Sequence, residues 1–136
     1  MYLIMILYHF LDWFFILFHL LVTMFNLLGW IWRKTRKWNL ITLIITGFFW
    51  FVIGIFYGFG YCPLTDWHFQ VLYKIGEYPD TNSYIGYIII RFFGLSINSS
   101  IVDYTTLSCF LVAFILSIVL NIRDRRNMSV IISKNR

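Results

Sequence analysis

The chain has 136 residues, of which 60% are hydrophobic, 22% aromatic and only 12% charged. Because a soluble domain carries about a quarter charged residues, this composition excludes a water-soluble globular protein. The net charge of +5 does not indicate nucleic acid as a partner, because the cations stand in two groups directly beside apolar runs, at 33–37 and 123–136, a pattern that fixes membrane orientation. The sequence predicts one integral membrane domain over residues 1–126 and a polar, frayed tail over 127–136.

The first predicted span covers about residues 3–32 and carries a stripe of polar side chains. At about 100° per residue, one sector of this helix collects His9, Asp12, His19, Thr23, Asn26 and Trp30. Such a stripe should face protein or a water-filled cavity, because facing lipid is costly. Two interpretations stay open: hydrogen bonds that hold the helices together, or a site for a ligand, proton or metal.

The second predicted span covers about residues 40–59 and follows a basic loop at 33–37. Gly54 and Gly58 form a small-xxx-small pair near its end, a spacing that permits close contact with another helix.

A short helix is predicted over residues 66–75 in the segment after the second span. Pro63 breaks the preceding structure, Thr65 is placed to cap the new helix and Gly76 to end it. Trp67, Val71 and Ile75 follow at four-residue spacing and Leu72 widens the same apolar face, which predicts an amphipathic helix lying at the outer membrane interface.

A second short apolar segment, residues 84–95, is too brief to span and is predicted to be re-entrant or interfacial. In it Tyr84, Tyr87 and Arg91 share one helical face. The last span covers about residues 101–122. If both basic groups lie in the cytoplasm, three complete spans place the N-terminus and the segment 60–100 outside and the tail inside. The fold class is therefore predicted as a small all-α membrane bundle, multi-pass in the cytoplasmic (inner) membrane.

This topology predicts a cluster of polar side chains at or near the outer face, with the following candidates: Asp12, His19, Asn26, Cys62, Thr65, Asp66, Trp67, His68, Arg91, Asp103. A buried arginine near hydrocarbon needs a charged partner. We therefore predict an ion pair between Arg91 and either Asp12 or Asp103. Asp66 can also be explained as an acid in the first turn of a helix, where it favours the helix dipole.

Catalytic chemistry is a weaker interpretation of these residues. Cys62 and His68 could form a nucleophile and base, but the sequence specifies no third group to orient them. His19 could ligate haem or a metal together with His68 or His9, yet there is no haem attachment motif. We therefore predict no catalytic residue, no metal ligand and no cofactor, and we do not expect Cys62 and Cys109 to form a disulfide.

Three stretches carry a resemblance to a known family. They are a His-bearing first span that ends in Gly29-Trp30, the motif Gly60-Tyr61-Cys62-Pro63-Leu64-Thr65 followed by Trp67, and Ser83-Tyr84-Ile85 before the last span. In these the chain resembles the small bacterial membrane proteins of domain-of-unknown-function family 2784. The resemblance covers most of the chain. It implies a small α-helical bundle, carries over the motif residues Cys62 to Thr65, and implies no activity.

Two functions are compatible with this sequence. The first is a non-enzymatic accessory or partner-binding subunit, in which the Cys-Pro-Leu-Thr motif is structural. The second is a redox or ligand-binding membrane protein that uses His19, Cys62 and His68, with haem or a metal as the cofactor. The expected partners are the lipid bilayer and either other membrane proteins or further copies of the chain, and no nucleic acid.

Overall fold

The structure, a computed structural model, describes residues 1–134, and this part of the chain is built from helices without a strand. The five helices are α1 (Tyr2–Leu28), α2 (Arg36–Tyr57), α3 (Pro63–Lys74), α4 (Tyr84–Phe93) and α5 (Ser99–Lys134). Of these, α1, α2 and α5 are long and apolar enough to cross a membrane. The predicted helical bundle with three spanning helices and two short ones is confirmed.

One end of the bundle, where α1 turns into α2, is held by polar contacts, and we call it the basic end. The side-chain amide of Asn39 donates to the main-chain oxygens of Phe25, at 2.7 Å, and Asn26, at 3.2 Å. These carbonyls lie in the last turn of α1, where helical partners are missing. Arg36 donates from Nη1 to both carboxylate oxygens of Asp124, at 3.1 and 2.9 Å. These bonds fix α1 and α5 to α2.

Next to the basic end, α2 packs against α5 through apolar side chains. Leu43, Phe110 and Ala113 are buried together, and Trp30, Trp50 and Phe114 pack around them. Gly47 lies on this contact, since a Cβ there would stand 3.4 Å from the ring of Phe110. Gly47, which the sequence places on the same thin side of the span as Gly54 and Gly58, therefore lies at a helix-packing contact.

The pair of Gly54 and Gly58 does not form a helix-packing surface, and the prediction is wrong. Helix α2 ends at Tyr57, and Gly58 has a φ of +107° that lies outside the helix. Gly54 is buried against the returning backbone, with its Cβ position 3.4 Å from the Cα of Phe59. The two glycines therefore let the chain leave α2 and fold back over it.

The opposite end, which we call the capped end, carries α3 and α4 packed against α1. Phe69 and Leu72 of α3 form a buried cluster with Tyr84 and Tyr87 of α4. Tyr84 contacts Phe15 and His19 of α1, whereas Arg91, two turns later, reaches Asp12. Helix α4 therefore runs antiparallel to α1 along part of its length.

Helix α3 begins earlier than predicted, and only part of its predicted apolar face is buried within the protein. It starts at Pro63, the favoured first position for proline, so Cys62 and not Thr65 is the cap residue. Of the predicted apolar face, Leu72 is fully buried and Ile75 packs against the same cluster, whereas Trp67 is 54% exposed. The buried residues are Thr65, His68, Phe69 and Leu72. Gly76, with a φ of +84° just after the helix, confirms the predicted end.

Helix α5 is longer than the last predicted span. It continues through Lys134, so the prediction of a frayed tail is wrong for residues 127–134, and residues 135–136 lie outside the described part. The helix has about 18 Å beyond the predicted span end, at about 1.5 Å per residue.

Candidate functional site

The carboxylate of Asp12 is the centre of the capped end. Asp12 lies on α1 and is 1% exposed. Arg91 of α4 donates from Nη1 to one carboxylate oxygen and from Nη2 to the other, each at 2.8 Å. This bidentate geometry is the strong form of an arginine–carboxylate pair. The predicted ion pair of Arg91 with Asp12 is confirmed, while the alternative partner, Asp103, lies exposed near the start of α5.

His68 of α3 completes the site. Its Nε2 lies 2.8 Å from Oδ1 of Asp12, and the imidazole is fully buried. Beside an ionised carboxylate, Nε2 carries the hydrogen and donates it, which leaves Nδ1 as an acceptor. That Nδ1 atom is buried without a hydrogen-bond partner. Three helices that are distant in sequence thus meet at one carboxylate, and we call Asp12, His68 and Arg91 the carboxylate network.

Arg91 links the carboxylate network to the surface. It donates to the hydroxyl of Tyr87, its Nη1 lies 3.8 Å from Oε2 of Glu77, and its guanidinium stands 5.6 Å from the ring centre of Trp13. Burial opposes the charge of Arg91, but the hydrogen bonds with Asp12 and Tyr87 outweigh it and raise the pKa of the guanidinium. The site therefore holds a permanent cation matched by a buried anion.

Aromatic rings pack against the carboxylate network on the side that faces the interior of the bundle. The ring of Phe15 stacks on His68 at 5.6 Å between ring centres. One helical turn after Phe15 on α1, the ring of His19 stacks nearly parallel on the ring of Tyr84, with 3.7 Å between ring centres. The Tyr84 hydroxyl donates to the Phe15 carbonyl at 3.4 Å. Burial raises the pKa of the Tyr84 hydroxyl, which keeps it a hydrogen-bond donor. The Nδ1 atom of His19 is, like that of His68, buried without a partner.

The structure separates the other predicted site residues from this network. Asn26 lies on α1 about 21 Å further along the helix and donates to Thr46 of α2 at 2.9 Å. Its assignment to the cluster is wrong, because one helical face can serve both ends of a bundle. Thr65 is buried within α3 and Cys62 is half-buried at its start. Asp66 and Trp67 point away from α1 and are exposed.

Four side chains around the network were missing from the predicted site: Phe15, Glu77, Tyr84 and Tyr87. Two of them had a sequence signal, since Tyr84 and Tyr87 share a helical face with Arg91. Phe15 had none, because aromatic residues occur throughout α1. Glu77 lies in a turn, where helical spacing gives no information.

The arrangement determines which chemistry the site can support. Both carboxylate oxygens of Asp12 are occupied by donors, so the acid acts as an acceptor that joins three helices. Within residues 1–134, no three or more His, Cys, Asp or Glu side chains are grouped to hold a metal ion. The thiols of Cys62 and Cys109 are free. At the capped end, the described part of the chain leaves two buried side-chain atoms without a hydrogen-bond partner, the Nδ1 atoms of His19 and His68.

The buried imidazole of His68 gives the folded state a pH dependence. Burial disfavours the imidazolium and lowers the pKa of His68 below its usual 6.5, although the hydrogen bond with Asp12 acts in the opposite direction. The unfolded chain therefore takes up this proton near pH 6.5 and the folded chain only at lower pH. We expect stability to fall as the pH decreases below about 6.5, by up to about 1.4 kcal/mol per pH unit.

The measurement is the free energy of unfolding in detergent at pH 8 and pH 5.5. The variant His68→Gln keeps a donor toward Asp12 without the titrating ring, so its loss of stability in acid should be smaller. His9→Gln, on the exposed start of α1, is the matched control and should behave like the unaltered chain. Equal acid sensitivity in all three proteins would refute the assignment to His68.

Comparison with known proteins places the chain in a family. The family described as Protein of Unknown function (DUF2784) matches residues 9–122. No curated protein and no solved structure matches the chain. The matched range includes the whole carboxylate network, the motif at Cys62 to Thr65 and the contact between α2 and α5. The chain therefore belongs to the DUF2784 family.

Proposed function

We propose that the protein is a non-enzymatic membrane subunit that acts by binding another membrane protein. The three hydrogen bonds that buried Asp12 accepts from Arg91 and His68 are the observation that carries this proposal. An acid or base catalyst needs a proton or lone pair that can reach a substrate. Asp12 is instead buried, and its carboxylate oxygens accept hydrogen bonds from Arg91 and His68. The charged residues of the capped end therefore support a structural role.

The Cys-Pro-Leu-Thr motif fits the same proposal. Cys62 is the extended residue before α3, Pro63 opens the helix, and Thr65 is buried in its first turn. Each position serves to start α3 at a defined place and thereby to bring His68 to Asp12. The motif is accordingly a structural element of the cap.

An orientation follows if the basic end lies in the cytoplasm. Arg33, Lys34 and Lys37 are exposed there, and cations beside spans favour the cytoplasmic side. We propose that the N-terminus and the capped end face outward, and that the protein resides in the bacterial inner membrane. The long helices bury few side chains, with only Asp12, Ile16 and Asn26 buried on α1, so wide apolar surfaces are left for lipid and for a protein partner.

The second candidate function, ligand or cofactor binding, is favoured by one observation. The Nδ1 atoms of His19 and His68 are both buried without a hydrogen-bond partner, and both rings contact Tyr84. Buried polar atoms normally have partners. Haem, a metal ion or a polar ligand could use these nitrogens, with Cys62 as a further candidate near α3.

One experiment distinguishes the two functions. The tagged chain is solubilised gently from its native membrane, and its mass, visible spectrum and metal content are measured beside His19→Ala. A featureless spectrum and a stoichiometric complex with a different membrane protein are expected, unchanged in the variant. An absorption band or stoichiometric metal that disappears in His19→Ala would establish the second function. A monomer or a complex of identical chains would refute the accessory role.

A further inference from the structure

Helix α5 carries one continuous packing seam along the bundle, at positions Phe110, Ala113, Ser117, Asn121 and Asp124. The first three are buried. Asn121 donates to the main-chain oxygen of Arg36 at 3.0 Å, and Asp124 pairs with the Arg36 side chain. Phe110, Ser117 and Asp124 stand seven residues apart, the repeat that keeps one helix facing another. The seam is therefore an established helix–helix interface.

The same seam continues beyond the helices that cover it. Met128 and Ile131 occupy the next two seam positions, but they are 62% and 58% exposed. Helix α2 begins at Arg36, level with Asn121 and Asp124, so it does not reach these turns. We call residues 125–134 the α5 extension. An apolar seam that is buried along the bundle thus runs on uncovered past its basic end.

Cations border the exposed part of the seam on both sides. On a helical projection, Arg125 and Lys134 stand roughly 80–100° to either side of the seam, where flanking charges select partners in coiled coils. Arg33, whose Nε lies 3.6 Å from Asp124, adds a further cation at the point where α2 no longer covers the seam. Asp124 is already paired with Arg36. The border of the exposed seam is therefore positive.

We propose that the α5 extension is a docking surface for an acidic amphipathic helix of a partner protein. The partner helix places apolar residues at three- and four-residue spacing on Met128 and Ile131, and its Asp and Glu residues face Arg125 and Lys134. Complementary charge sets such pairings and speeds association. The proposal rests on the accessory function proposed above and names the chemistry of the partner.

Two other occupants fit the observations less well. A second copy in parallel would bring its own basic end beside this one, and like charges across an interface are repelled. An anionic lipid surface attracts cations, but the α5 extension continues a spanning helix without a break through Lys134. It therefore leaves the membrane and does not lie flat on it.

The test is photo-crosslinking of the full chain in native membranes. A photoreactive phenylalanine analogue is placed at position 131 on the seam, or at position 130 as the matched control. Val130 is equally exposed, at 63%, but lies on the opposite side of the helix from the seam. Crosslinked peptides are identified by mass spectrometry. Position 131 should link to a segment rich in Asp and Glu with heptad-like apolar spacing, and position 130 should not.

A second readout separates this inference from the function on which it rests. The double substitution Met128→Ser and Ile131→Ser should weaken the complex about tenfold or more, and Val130→Ser should leave it unchanged. If the complex persists with the double variant, the docking site is wrong and the accessory function stands. If the unaltered chain forms no complex with another protein, both are wrong. Crosslinks from position 131 to lipid, to a second copy or to a segment without acidic excess also overturn the inference.

Discussion

Replacing Asp12 by alanine is expected to lower the free energy of unfolding by about 3–5 kcal/mol. The variant removes the anion that neutralises Arg91 and accepts from His68, yet leaves both partners in place. An arginine in apolar surroundings without its counter-ion has lost the interaction that offsets its desolvation. The loss of stability therefore arises more from the unpaired Arg91 and His68 than from the missing carboxylate itself.

The measurement is reversible unfolding in mixed micelles, with Asp103→Ala as the matched control. Asp103 is also an acid near the same end of the bundle but is exposed, so its removal should change stability by less than about 0.5 kcal/mol. The double variant Asp12→Leu with Arg91→Met should recover much of the loss, because an apolar pair of similar volume can replace a buried ion pair. Equal effects of the two alanine variants would show that Asp12 is not paired as described.

Replacing Leu72 by alanine is expected to cost about 2–5 kcal/mol, the range for a leucine removed from a packed core. Leu72 is fully buried between Phe69, Tyr84 and Tyr87. Its removal opens a cavity between α3 and α4. The loss should appear in the same unfolding assay.

The control for Leu72 is Trp67→Ala on the same helix. Trp67 belongs to the apolar face that the sequence pattern predicts, but it is 54% exposed in the structure, so its loss should destabilise by well under half as much. The comparison therefore measures which way α3 is turned. A larger loss for Trp67→Ala than for Leu72→Ala would contradict the fold of the cap.

The three spans and the Arg91–Asp12 pair could be predicted because strong constraints act on them. Long apolar runs have one stable solution in lipid. An arginine beside hydrocarbon needs an anion, and few acids were available in the outer part of the predicted bundle. The polar stripe of α1 predicted that Asp12 and Asn26 face protein, and both are buried.

The sequence predicted less where the choice depends on packing between helices. The buried face of α3 includes His68, which contacts Asp12 of α1, and leaves Trp67 exposed. The spacing of apolar residues along α3 gives no information about that contact. Likewise the role of a glycine depends on its backbone. Gly58 has a φ of +107°, which ends α2 and makes a helix-packing role impossible.

The length of chain between the members of the carboxylate network has a consequence for biogenesis. Asp12 is made 56 residues before His68 and 79 residues before Arg91. An acid in a spanning helix is costly until it is paired, so α1 enters the bilayer carrying a charge or a proton that its own sequence cannot compensate. Helix α1 can reach its native position only after α4, which carries Arg91, has left the ribosome. Helix α1, which is made before the other four helices described here, is thus among the last to reach its native position, and truncation before Arg91 should leave it poorly retained in the membrane.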